Sequence, residues 1–292
     1  MANLGFIGLG AMGSRIAERL RRAGHSMTVY DRDAKRVEAM AAKGAAAART
    51  PAEVAAHSEI VLSCVTDDAA VEMALLGRDG ALERLLPGAL VVDLSTVSPV
   101  TSRLLADAVR GKGAAFVDAA MSGSTPQAEQ GALVVFAGGE PGAVQRARPI
   151  LDTIAKTVTH MGQAGAGTTM KLVVNTLLGA GLQILAEALA LGEKAGIDRE
   201  RLAQVLGDTA VISPAQRGKL PNAVANEFPS TFPARLMYKD FNLILAHAAS
   251  LAVPMPAAAV AAQLCAAQAA RGPDEDFSAT IQLMRQLAGM PA

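Results

Sequence analysis

One glycine-rich segment near the start of the chain constrains its fold more than any other feature. The segment has the form G-x-G-x-x-G, follows a short apolar run at residues 4–8 and leads into a helical run at residues 12–23. Its residues are Gly8, Leu9, Gly10, Ala11, Met12 and Gly13. A strand, a glycine turn and a helix in this order are typical of the first βαβ unit of a dinucleotide-binding fold. The free amides at the start of such a helix are suited to bind a pyrophosphate.

The three glycines of this segment have separate physical roles in such a turn. Gly8 permits the tight turn after the strand, Gly10 lets the backbone approach a phosphate group, and Gly13 lets the helix lie close to the sheet. A glycine-rich turn with a purely structural role is the alternative. The flanking strand and helix favour the binding site, because they supply the context that a dinucleotide fold requires.

The second predicted strand is followed by two residues, Asp31 and Arg32, that bear on the choice between NAD and NADP. Asp31 follows the strand at residues 26–30, where a carboxylate accepts hydrogen bonds from the ribose hydroxyls of NAD and repels the 2′-phosphate of NADP. Arg32 is suited to bind that phosphate, but between Asp31 and Asp33 it is equally consistent with a solvated surface charge. The sequence therefore favours NAD as the cofactor and leaves NADP as the alternative.

Strand and helix patterns alternate through the first half of the chain. Apolar, strand-like runs separated by helical runs lie at residues 4–8, 26–30, 59–65, 89–94 and 115–119. This alternation predicts βαβ units and a mostly parallel, doubly wound sheet in an α/β Rossmann domain over residues 1–162. Only helical patterns follow over residues 163–292, so the second half is predicted to be an all-α domain.

The helical half is predicted to begin with one long helix over residues 164–195. Its central part, residues 172–191, is almost wholly apolar but contains Asn175, Gln183 and Glu187, so it matches a membrane span only marginally. A buried helix of a soluble protein is favoured, and no membrane partner is expected. Because the helix is apolar nearly all round, a homodimer or homotetramer interface is expected to cover part of it.

The charge balance and the few metal-ligating residues exclude several kinds of function. Lys and Arg number 27 and Asp and Glu number 27, so the formal charge is zero and no basic run is present to bind nucleic acid. The two cysteines and four histidines are scattered, so neither a disulfide framework nor a metal site is predicted. The N-terminus lacks the pattern of a secretory signal, which together with the cysteine usage favours the cytoplasm.

Lys171 and Asn175 are the candidate catalytic residues. They lie four residues apart in the long apolar helix, so they share one face of it. Polar side chains in such surroundings are costly unless they have partners or a function. Lys171 is suited to transfer a proton, because burial and a nearby positive charge lower the pKa of a lysine towards neutrality. A lysine that extends from the helix end into solvent is the alternative.

A Ser/Gly segment is the candidate site for a substrate carboxylate. Ser122, Gly123 and Ser124 follow the strand at residues 115–119, and α/β folds bind ligands at the carboxyl ends of their parallel strands. The hydroxyls and backbone amides of this segment are suited to hold a carboxylate. An ordinary Ser/Gly turn is the alternative.

Two further features carry candidate residues. Thr96 follows the strand at residues 89–94, so it lies at an equivalent strand end and is placed to contact the cofactor. Lys239 and Asp240 form a charged pair within an apolar stretch of the helical half. This pair is interpreted either as a helix surface pair or as a pair turned towards the substrate.

Four segments together resemble the β-hydroxyacid dehydrogenases, the family that includes 3-hydroxyisobutyrate dehydrogenase and tartronate semialdehyde reductase. The matching segments are GFIGLGAMG at residues 5–13, residues 118–124, GAGTTMKLVVN at residues 165–175, and Lys239-Asp240. They follow one another in order over essentially the full length of the chain. The resemblance implies a hydride transfer between NAD(P) and a small β-hydroxy acid or its semialdehyde.

The resemblance also implies roles for residues around the substrate. Lys171 resembles the family's catalytic lysine, which donates a proton during carbonyl reduction and accepts one during alcohol oxidation. Ser122, Gly123 and Asn175 resemble substrate-binding positions. Ser124, beside them, is predicted to contact the substrate as well.

Other implied roles concern the cofactor. Lys239 resembles the residue that closes over substrate and nicotinamide, and Asp240 beside it is predicted to contact the substrate. Thr96 and the loop of Val65 and Thr66 resemble contacts on the nicotinamide side of the cofactor.

The chain departs from the family pattern in the substrate segment. This segment usually reads Asp-x-Pro-Val-Ser-Gly-Gly, whereas here Ala120 and Met121 replace the Pro-Val pair and Ser124 replaces the last glycine. A side chain at Ser124 narrows the carboxylate pocket or changes its polarity, which leaves the particular substrate open.

Three alternatives to a β-hydroxyacid dehydrogenase stay open at this point. The first is a semialdehyde or imine reductase of the same superfamily, although imine reductases generally lack the lysine that Lys171 supplies. The second is a 6-phosphogluconate dehydrogenase-like enzyme, although those have much longer helical domains. The third is a dinucleotide-binding scaffold without catalysis, which the presence of Lys171 disfavours.

Overall fold

The computed structural model describes residues 2–291. The chain divides into two compact units, with bounds Met1–Lys171 and Leu172–Ala292. The first unit is built on one sheet and the second is helical. The sequence predicts a boundary after residue 162, whereas the units divide inside the long helix. The start of that helix groups with the sheet because Gly165 and Thr168 donate hydrogen bonds to a strand residue, Asp118.

Eight strands form the sheet of the first unit. They are β1 (Asn3–Ile7), β2 (Ser26–Tyr30), β3 (Ala46–Ala47), β4 (Ile60–Ser63), β5 (Leu90–Asp93), β6 (Ala115–Ser122), β7 (Leu133–Gly139) and β8 (Ala155–Gly162). Their order across the sheet is β3-β2-β1-β4-β5-β6-β7-β8. Neighbouring strands are parallel except β6 and β7, which are antiparallel. The prediction of a mostly parallel Rossmann sheet is therefore confirmed.

Three of these strands lie outside the predicted set. β3 has only two residues, and β8 carries exposed polar positions, so neither forms the continuous apolar run of a central strand. β7 is apolar but ends in Gly138 and Gly139, and glycine is depleted in strands. The connection from β6 to β7 spans only residues 123–132, which is too short for the usual parallel crossover.

Helices cover both faces of this sheet. They are α1 (Ala11–Arg22), α2 (Ala34–Ala41), α3 (Pro51–Ala56), α4 (Asp68–Leu76), α5 (Pro99–Gly111), α6 (Thr125–Gln130) and α7 (Pro141–Ile154). One apolar cluster joins Leu4 and Phe6 of β1 to α1, α2, α6 and α7, and another joins Ile7 to α3, α4 and α5. Successive strand residues face opposite sides, so the central strands are buried on both faces.

The second unit contains most of the long helix and the helices that follow. They are α8 (Ala166–Lys194), α9 (Arg199–Asp208), α10 (Pro214–Arg217), α11 (Leu220–Ala225), α12 (Ala234–Ser250), α13 (Pro256–Arg271) and α14 (Thr280–Leu287). Its core joins Leu185 and Leu189 of α8 to Phe241 of α12 and Ala262 of α13. α10 and α11 are separate helices, because Pro221 cannot continue the helical hydrogen bonds of the preceding turn.

α8 is long and apolar enough to cross a membrane by length and composition alone. Its most apolar window has a mean hydropathy of 1.6, and 44% of that window is buried within the protein. The buried side packs into the core of the helical unit, while Leu177, Ile184 and Leu191 are exposed. α8 is therefore a core helix with one apolar stripe left uncovered.

Candidate functional site

The glycine-rich turn contains glycines with two different physical causes. Gly8 has a φ of 96°, and a Cβ there would overlap the carbonyl oxygen of Cys64. A Cβ on Gly13 would overlap the carbonyl oxygen of Gly8. A Cβ on Gly10, by contrast, would meet only Nη1 of Arg36, at 3.9 Å. The protein's own packing requires Gly8 and Gly13, whereas the space beside Gly10 is left for a ligand that approaches the backbone.

The start of α1 fits a phosphate group. Gly10 is its N-cap, so no side chain caps the first amides, and the first turn carries no acidic residue. Uncapped amides and the positive end of the helix dipole attract an anion at this place. The residues of the turn therefore fit the pyrophosphate of a dinucleotide, as the sequence predicts.

Asp31 lies directly beside this turn. Its Oδ2 accepts a hydrogen bond from the Leu9 amide at 2.6 Å, and its Oδ1 accepts one from the Asp33 amide at 2.8 Å. Nη1 of Arg36, in the first turn of α2, lies 3.6 Å from the Asp31 carboxylate, while Arg32 is exposed. Arg36 is thus a further basic residue beside Asp31, and the sequence signal for it is its position in the first turn of the helix that follows Asp31.

A buried carboxylate joins the loops after β4 and β5. Asp93 accepts hydrogen bonds on Oδ1 from the hydroxyls of Ser63 and Ser95, both at 2.7 Å, and the Ser95 hydroxyl accepts one from the Val65 amide at 2.9 Å. These bonds hold together the loops that carry Val65 and Thr96, two of the predicted cofactor contacts. Burial raises the pKa of Asp93 to about 6, although the serine hydrogen bonds oppose this shift.

A second buried carboxylate anchors the start of α8 on the sheet. Asp118 of β6 accepts hydrogen bonds from the Gly165 amide at 2.8 Å, the Thr168 amide at 2.8 Å and the Thr168 hydroxyl at 3.1 Å. Asp118 is 1% exposed, and burial raises the pKa of its carboxyl above the ordinary value, although these hydrogen bonds oppose the shift. Lys171 lies three residues after Thr168 and is partly buried. The elements that carry Lys171 and Ser122 thus meet at Asp118.

The segment predicted to bind the substrate leaves β6 immediately after the sheet ladder ends. Ser122 is the last residue of the ladder, opposite Val134 of β7. Gly123 has a φ of 137°, and a Cβ there would lie 2.7 Å from the Leu133 side chain. Ser124 is the N-cap residue of α6, and both its amide and its hydroxyl donate hydrogen bonds to Oε1 of Gln127.

The two other departures from the family pattern lie inside the sheet. Ala120 and Met121 are buried residues of β6 that pair with Phe136 and Val135 of β7. They therefore belong to the sheet ladder rather than to the exposed part of the substrate segment.

In the helical unit, the structure brings together the three predicted residues Asn175, Lys239 and Asp240. The amide of Asn175 donates a hydrogen bond to Oδ2 of Asp240 at 2.5 Å, and Nζ of Lys239 lies 2.9 Å from Oδ1 of Asp240. Asn175 is 0% and Asp240 1% exposed. Lys239 and Asp240 are therefore not a simple surface pair, because the buried Asp240 carboxylate contacts both Asn175 and Lys239.

Fold and turn together define a class of protein. A doubly wound sheet, a glycine turn with ligand space at Gly10, and a carboxylate at Asp31 are the parts of a nicotinamide-dinucleotide-binding unit. The family model of the NAD binding domain of 6-phosphogluconate dehydrogenase matches residues 3–162. The model described as NAD-binding of NADP-dependent 3-hydroxyisobutyrate dehydrogenase matches residues 165–284.

Relatives of known name cover nearly the whole chain. A 2-(hydroxymethyl)glutarate dehydrogenase of Eubacterium barkeri is 35% identical over 98% of this chain and 96% of its own length. Glyoxylate/succinic semialdehyde reductase 1 of Arabidopsis thaliana is 32% identical over 97% of this chain and 98% of its own. The solved structure of Mycobacterium tuberculosis 3-hydroxyisobutyrate dehydrogenase with L-serine is 30% identical, has a TM-score of 0.90, and is matched over 98% of this chain and 99% of that one.

The chain belongs to the β-hydroxyacid dehydrogenase family. It is an NAD(P)-linked oxidoreductase that acts on the CH–OH group of small hydroxy acids, so the predictions of family, cofactor class and reaction class are confirmed. The dehydrogenase fold identifies α8 as a core helix of a soluble protein.

Proposed function

We propose that this enzyme interconverts a small β-hydroxy acid and its semialdehyde or keto form, with NAD as the preferred cofactor and Lys171 as the general acid–base. The observation that carries this proposal is the anchoring of α8 at Asp118. It ties the helix that carries Lys171 to the strand that ends at Ser122. A proton-transfer group and a carboxylate-binding segment built on one rigid junction suit a reaction that needs both.

The proposed chemistry divides between the cofactor and the chain. A bound nicotinamide would supply hydride-transfer chemistry at the carbon that bears the substrate hydroxyl or carbonyl oxygen. During oxidation the amine of Lys171 takes the hydroxyl proton, and during reduction its ammonium group gives a proton to the carbonyl oxygen. Asn175, one helical turn further along α8, assists by orienting the reacting groups.

The remaining predicted residues are proposed to bind. Gly8, Leu9, Gly10, Ala11, Met12 and Gly13 hold the pyrophosphate, and Asp31 holds the adenosine ribose with Arg32 beside it. Val65, Thr66, Thr96 and Lys239 contact the nicotinamide side of the cofactor. The substrate is contacted by Ser122, Gly123, Ser124, Lys239 and Asp240.

The substrate is proposed to be a compact hydroxy acid. The M. tuberculosis relative was solved with L-serine, a small acid with a β-hydroxyl group. In the present chain the hydroxyl of Ser124 is engaged with Gln127, so it narrows the substrate segment without offering a free donor. A carboxylate would then be held by the amide of Gly123 and the hydroxyl of Ser122, which favours a short chain between carboxylate and hydroxyl.

The enzyme is further proposed to be a homodimer or homotetramer in the cytoplasm. The uncovered stripe of Leu177, Ile184 and Leu191 on α8 supports a homodimer or homotetramer. Cys64 is partly buried, Cys265 is buried, and both are free thiols. Free thiols are typical of a reducing compartment, which supports a cytoplasmic enzyme.

The test is a set of initial rates with and without Lys171. The substrates are 3-hydroxyisobutyrate, glycerate, 3-hydroxypropionate, 4-hydroxybutyrate, serine and threonate, each with NAD and with NADP. We expect turnover of at least one acid, and a loss of about 10²–10⁴-fold in kcat for Lys171→Ala, the usual contribution of a general acid–base. Lys156→Ala, an exposed lysine of β8, is the matched control.

Two results would contradict the proposal. Full turnover by folded Lys171→Ala would remove the assigned proton-transfer residue. NAD binding without turnover of any acid in the series would instead favour a different substrate or a non-catalytic scaffold.

A further inference from the structure

Asp118 forms a junction between β6 and the start of α8, and the donor and acceptor of each hydrogen bond in this junction can be assigned. Asp118 receives three hydrogen bonds, from the Gly165 amide, the Thr168 amide and the Thr168 hydroxyl. A protonated carboxyl would bring a fourth donor into a place where both oxygens already face donors. The three donors therefore favour the ionised carboxylate, although its position is buried.

The hydroxyl of Thr168 extends this order to α5. Its oxygen lies 2.9 Å from the hydroxyl of Ser102, and either atom could in principle donate. Because the Thr168 hydroxyl donates to Asp118, it must accept from Ser102. Ser102, Thr168 and Asp118 therefore form one directed chain, and the first two are 0% exposed. This chain joins α5, α8 and β6.

Two glycines bring the helix close enough for these bonds. A Cβ on Gly138 of β7 would lie 2.5 Å from Oδ1 of Asp118 and 2.8 Å from the Gly167 amide. A Cβ on Gly167 would overlap the Phe136 carbonyl oxygen and lie 2.9 Å from Oδ2 of Asp118. Side chains at either position would push α8 away from the sheet, so the sequence favours a close junction here.

Lys171 lies one turn beyond this junction. Side chains of a helix tilt towards its N-terminus, so a residue covers the turn that precedes it. The turn that precedes Lys171 is the one that Thr168 fixes to Asp118. Charged groups on the elements packed against Asp118 include Asp93 of β5, its partner in the sheet, and Arg103 of α5 beside Gly165, while Lys171 lies three residues after Thr168 on α8.

We propose that Asp118 is a positioning residue for Lys171, which fixes the first turn of α8 and places a buried negative charge at the helical turn that precedes the lysine. This proposal rests on the proposed function of Lys171. It assigns Asp118 no contact with substrate or cofactor. The charge favours the ammonium form of Lys171, and the hydrogen bonds set the place of its backbone.

The main test is Asp118→Asn in the full-length enzyme. The NH₂ group of an asparagine would face at least one of the three groups that donate hydrogen bonds to Asp118, so that hydrogen bond would be lost. The negative charge would be lost as well. We expect kcat to fall at least about tenfold, because a small displacement of a catalytic group has effects of this size. The midpoint of the Lys171 titration in the pH profile of kcat should move to lower pH, and the Kd for NAD should stay near the wild-type value.

Two matched comparisons separate positioning from simple stability. Asp276→Asn removes a buried, hydrogen-bonded carboxylate of the helical unit, so it is expected to lower Tm while leaving the pH profile of kcat unchanged. Thr168→Ser keeps both hydrogen bonds to Asp118 and should retain kcat, whereas Thr168→Val removes the hydroxyl and should lower it. The Thr168 pair also serves if Asp118→Asn does not fold.

The outcomes are decisive in either direction. A lower kcat with a shifted pH profile in Asp118→Asn, together with retained kcat in Thr168→Ser but not Thr168→Val, supports the proposal. A wild-type pH profile and kcat in Asp118→Asn, loss of NAD binding, or equal kcat in the two Thr168 variants overturns it. Failure of the proposed function is recognised separately, because it requires turnover by Lys171→Ala.

Discussion

The side-chain amide of Asn175 donates a hydrogen bond to the carboxylate of Asp240 at 2.5 Å, where neither residue is more than 1% exposed. A carboxylate only accepts hydrogen bonds, so the amino group of Asn175 must face Asp240. The carbonyl oxygen of Asn175 then points elsewhere and has no hydrogen-bond partner among residues 2–291. Asp240 thus determines which polar group Asn175 keeps available.

Replacing Asp240 with asparagine should disturb the orientation of Asn175. Two facing amides have no preferred direction, and a hydrogen bond to a charged group is worth about 1.5–3 kcal/mol. We expect kcat/KM for the hydroxy acid to fall at least about tenfold, which corresponds to about 1.4 kcal/mol. Steady-state kinetics with the hydroxy acid and with NAD varied in turn will measure the effect.

The double variant Asn175→Asp/Asp240→Asn is the control for this prediction. It restores a hydrogen bond with donor and acceptor exchanged, so we expect it to recover Tm but not activity. Wild-type kcat/KM in Asp240→Asn would show that the orientation of Asn175 is unimportant.

Alanine at Gly10 and alanine at Gly13 should have opposite effects on folding and binding. A Cβ on Gly10 meets only Nη1 of Arg36 at 3.9 Å, so Gly10→Ala should fold normally and weaken NAD binding. A Cβ on Gly13 overlaps the Gly8 carbonyl oxygen, so Gly13→Ala should lower Tm. Thermal unfolding and fluorescence titration with NADH will compare the two. Tight NADH binding by Gly10→Ala would contradict the assignment of the turn.

Asp31→Asn should change the choice between the two cofactors. The asparagine keeps an acceptor for the Leu9 amide but removes the negative charge that repels a 2′-phosphate. Arg36 then loses its ion pair with Asp31, at 3.6 Å, and keeps the one with Asp33, at 3.5 Å. We expect the ratio of kcat/KM for NADP to that for NAD to rise at least about tenfold, a change of about 1.4 kcal/mol.

Two arginine variants in the Asp31→Asn background will locate the group responsible. Arg36→Ala should reverse the gain in kcat/KM with NADP. Arg32→Ala, at the exposed neighbouring arginine, is the comparison and should reverse the gain less. An unchanged cofactor ratio in Asp31→Asn would mean that Asp31 serves only to hold the turn.

Two buried carboxylates should give opposite dependences of stability on pH. Burial raises the pKa of Asp93 from 3.8 to about 6, so the native protein binds an extra proton between these values and loses stability as pH rises through this range. For Asp276, burial raises the pKa, but hydrogen bonds from Lys219 and Ser278 outweigh it and lower the pKa below 3.8. Its contribution is present above the unfolded pKa and lost as pH falls through the native one.

Thermal unfolding between pH 3 and 8 will separate the two effects. Asp93→Asn should flatten the loss of stability between about pH 4 and 6, whereas Asp276→Asn should flatten the loss below about pH 4. Identical pH dependences in the two variants would contradict both assignments.

A charge placed on the uncovered stripe of α8 should break the assembly. Leu177 and Leu191 are 75% and 73% exposed on the same helix, two heptads apart. We expect Leu177→Glu to shift the mass measured by light scattering towards that of a monomer. Met73→Glu, at a 71% exposed apolar residue of α4, is the control and should leave the mass unchanged. A monomeric wild-type protein would contradict the proposed oligomer.

The sequence predicts the central part of the fold well, because there local pattern and packing agree. β2 matches its predicted range, and α8 begins and ends within two residues of the predicted helix. The edge strand β8 is different, because its exposed polar residues carry no apolar period. The direction of β7 depends on the length of its connection, which only the assembled sheet reveals.

The candidate site shows the same division between motif and context. The glycine turn and Asp31 are recognisable because their spacing has a direct physical cause. The roles of Asp93 and Asp118 are not, because each depends on partners distant in sequence, such as Ser63 and Thr168. A carboxylate within an apolar strand was nevertheless a signal, since burial of an unpaired charge is costly. Ser124 is likewise recognisable as a candidate binding position, but its hydrogen bond to Gln127 becomes evident only in the structure.

The continuity of α8 also limits how the gene can change. Lys171 and Asn175 lie on one uninterrupted helix, so their relative direction is set by the helix itself rather than by a loop. Inserting or deleting one residue between them would rotate one against the other by about 100° and shift it by about 1.5 Å. A substitution at an exposed intervening position such as Val173 leaves this geometry unchanged, whereas a change in the length of the segment does not. Descendants of this chain can diverge there in residue identity while the distance between the two codons stays the same.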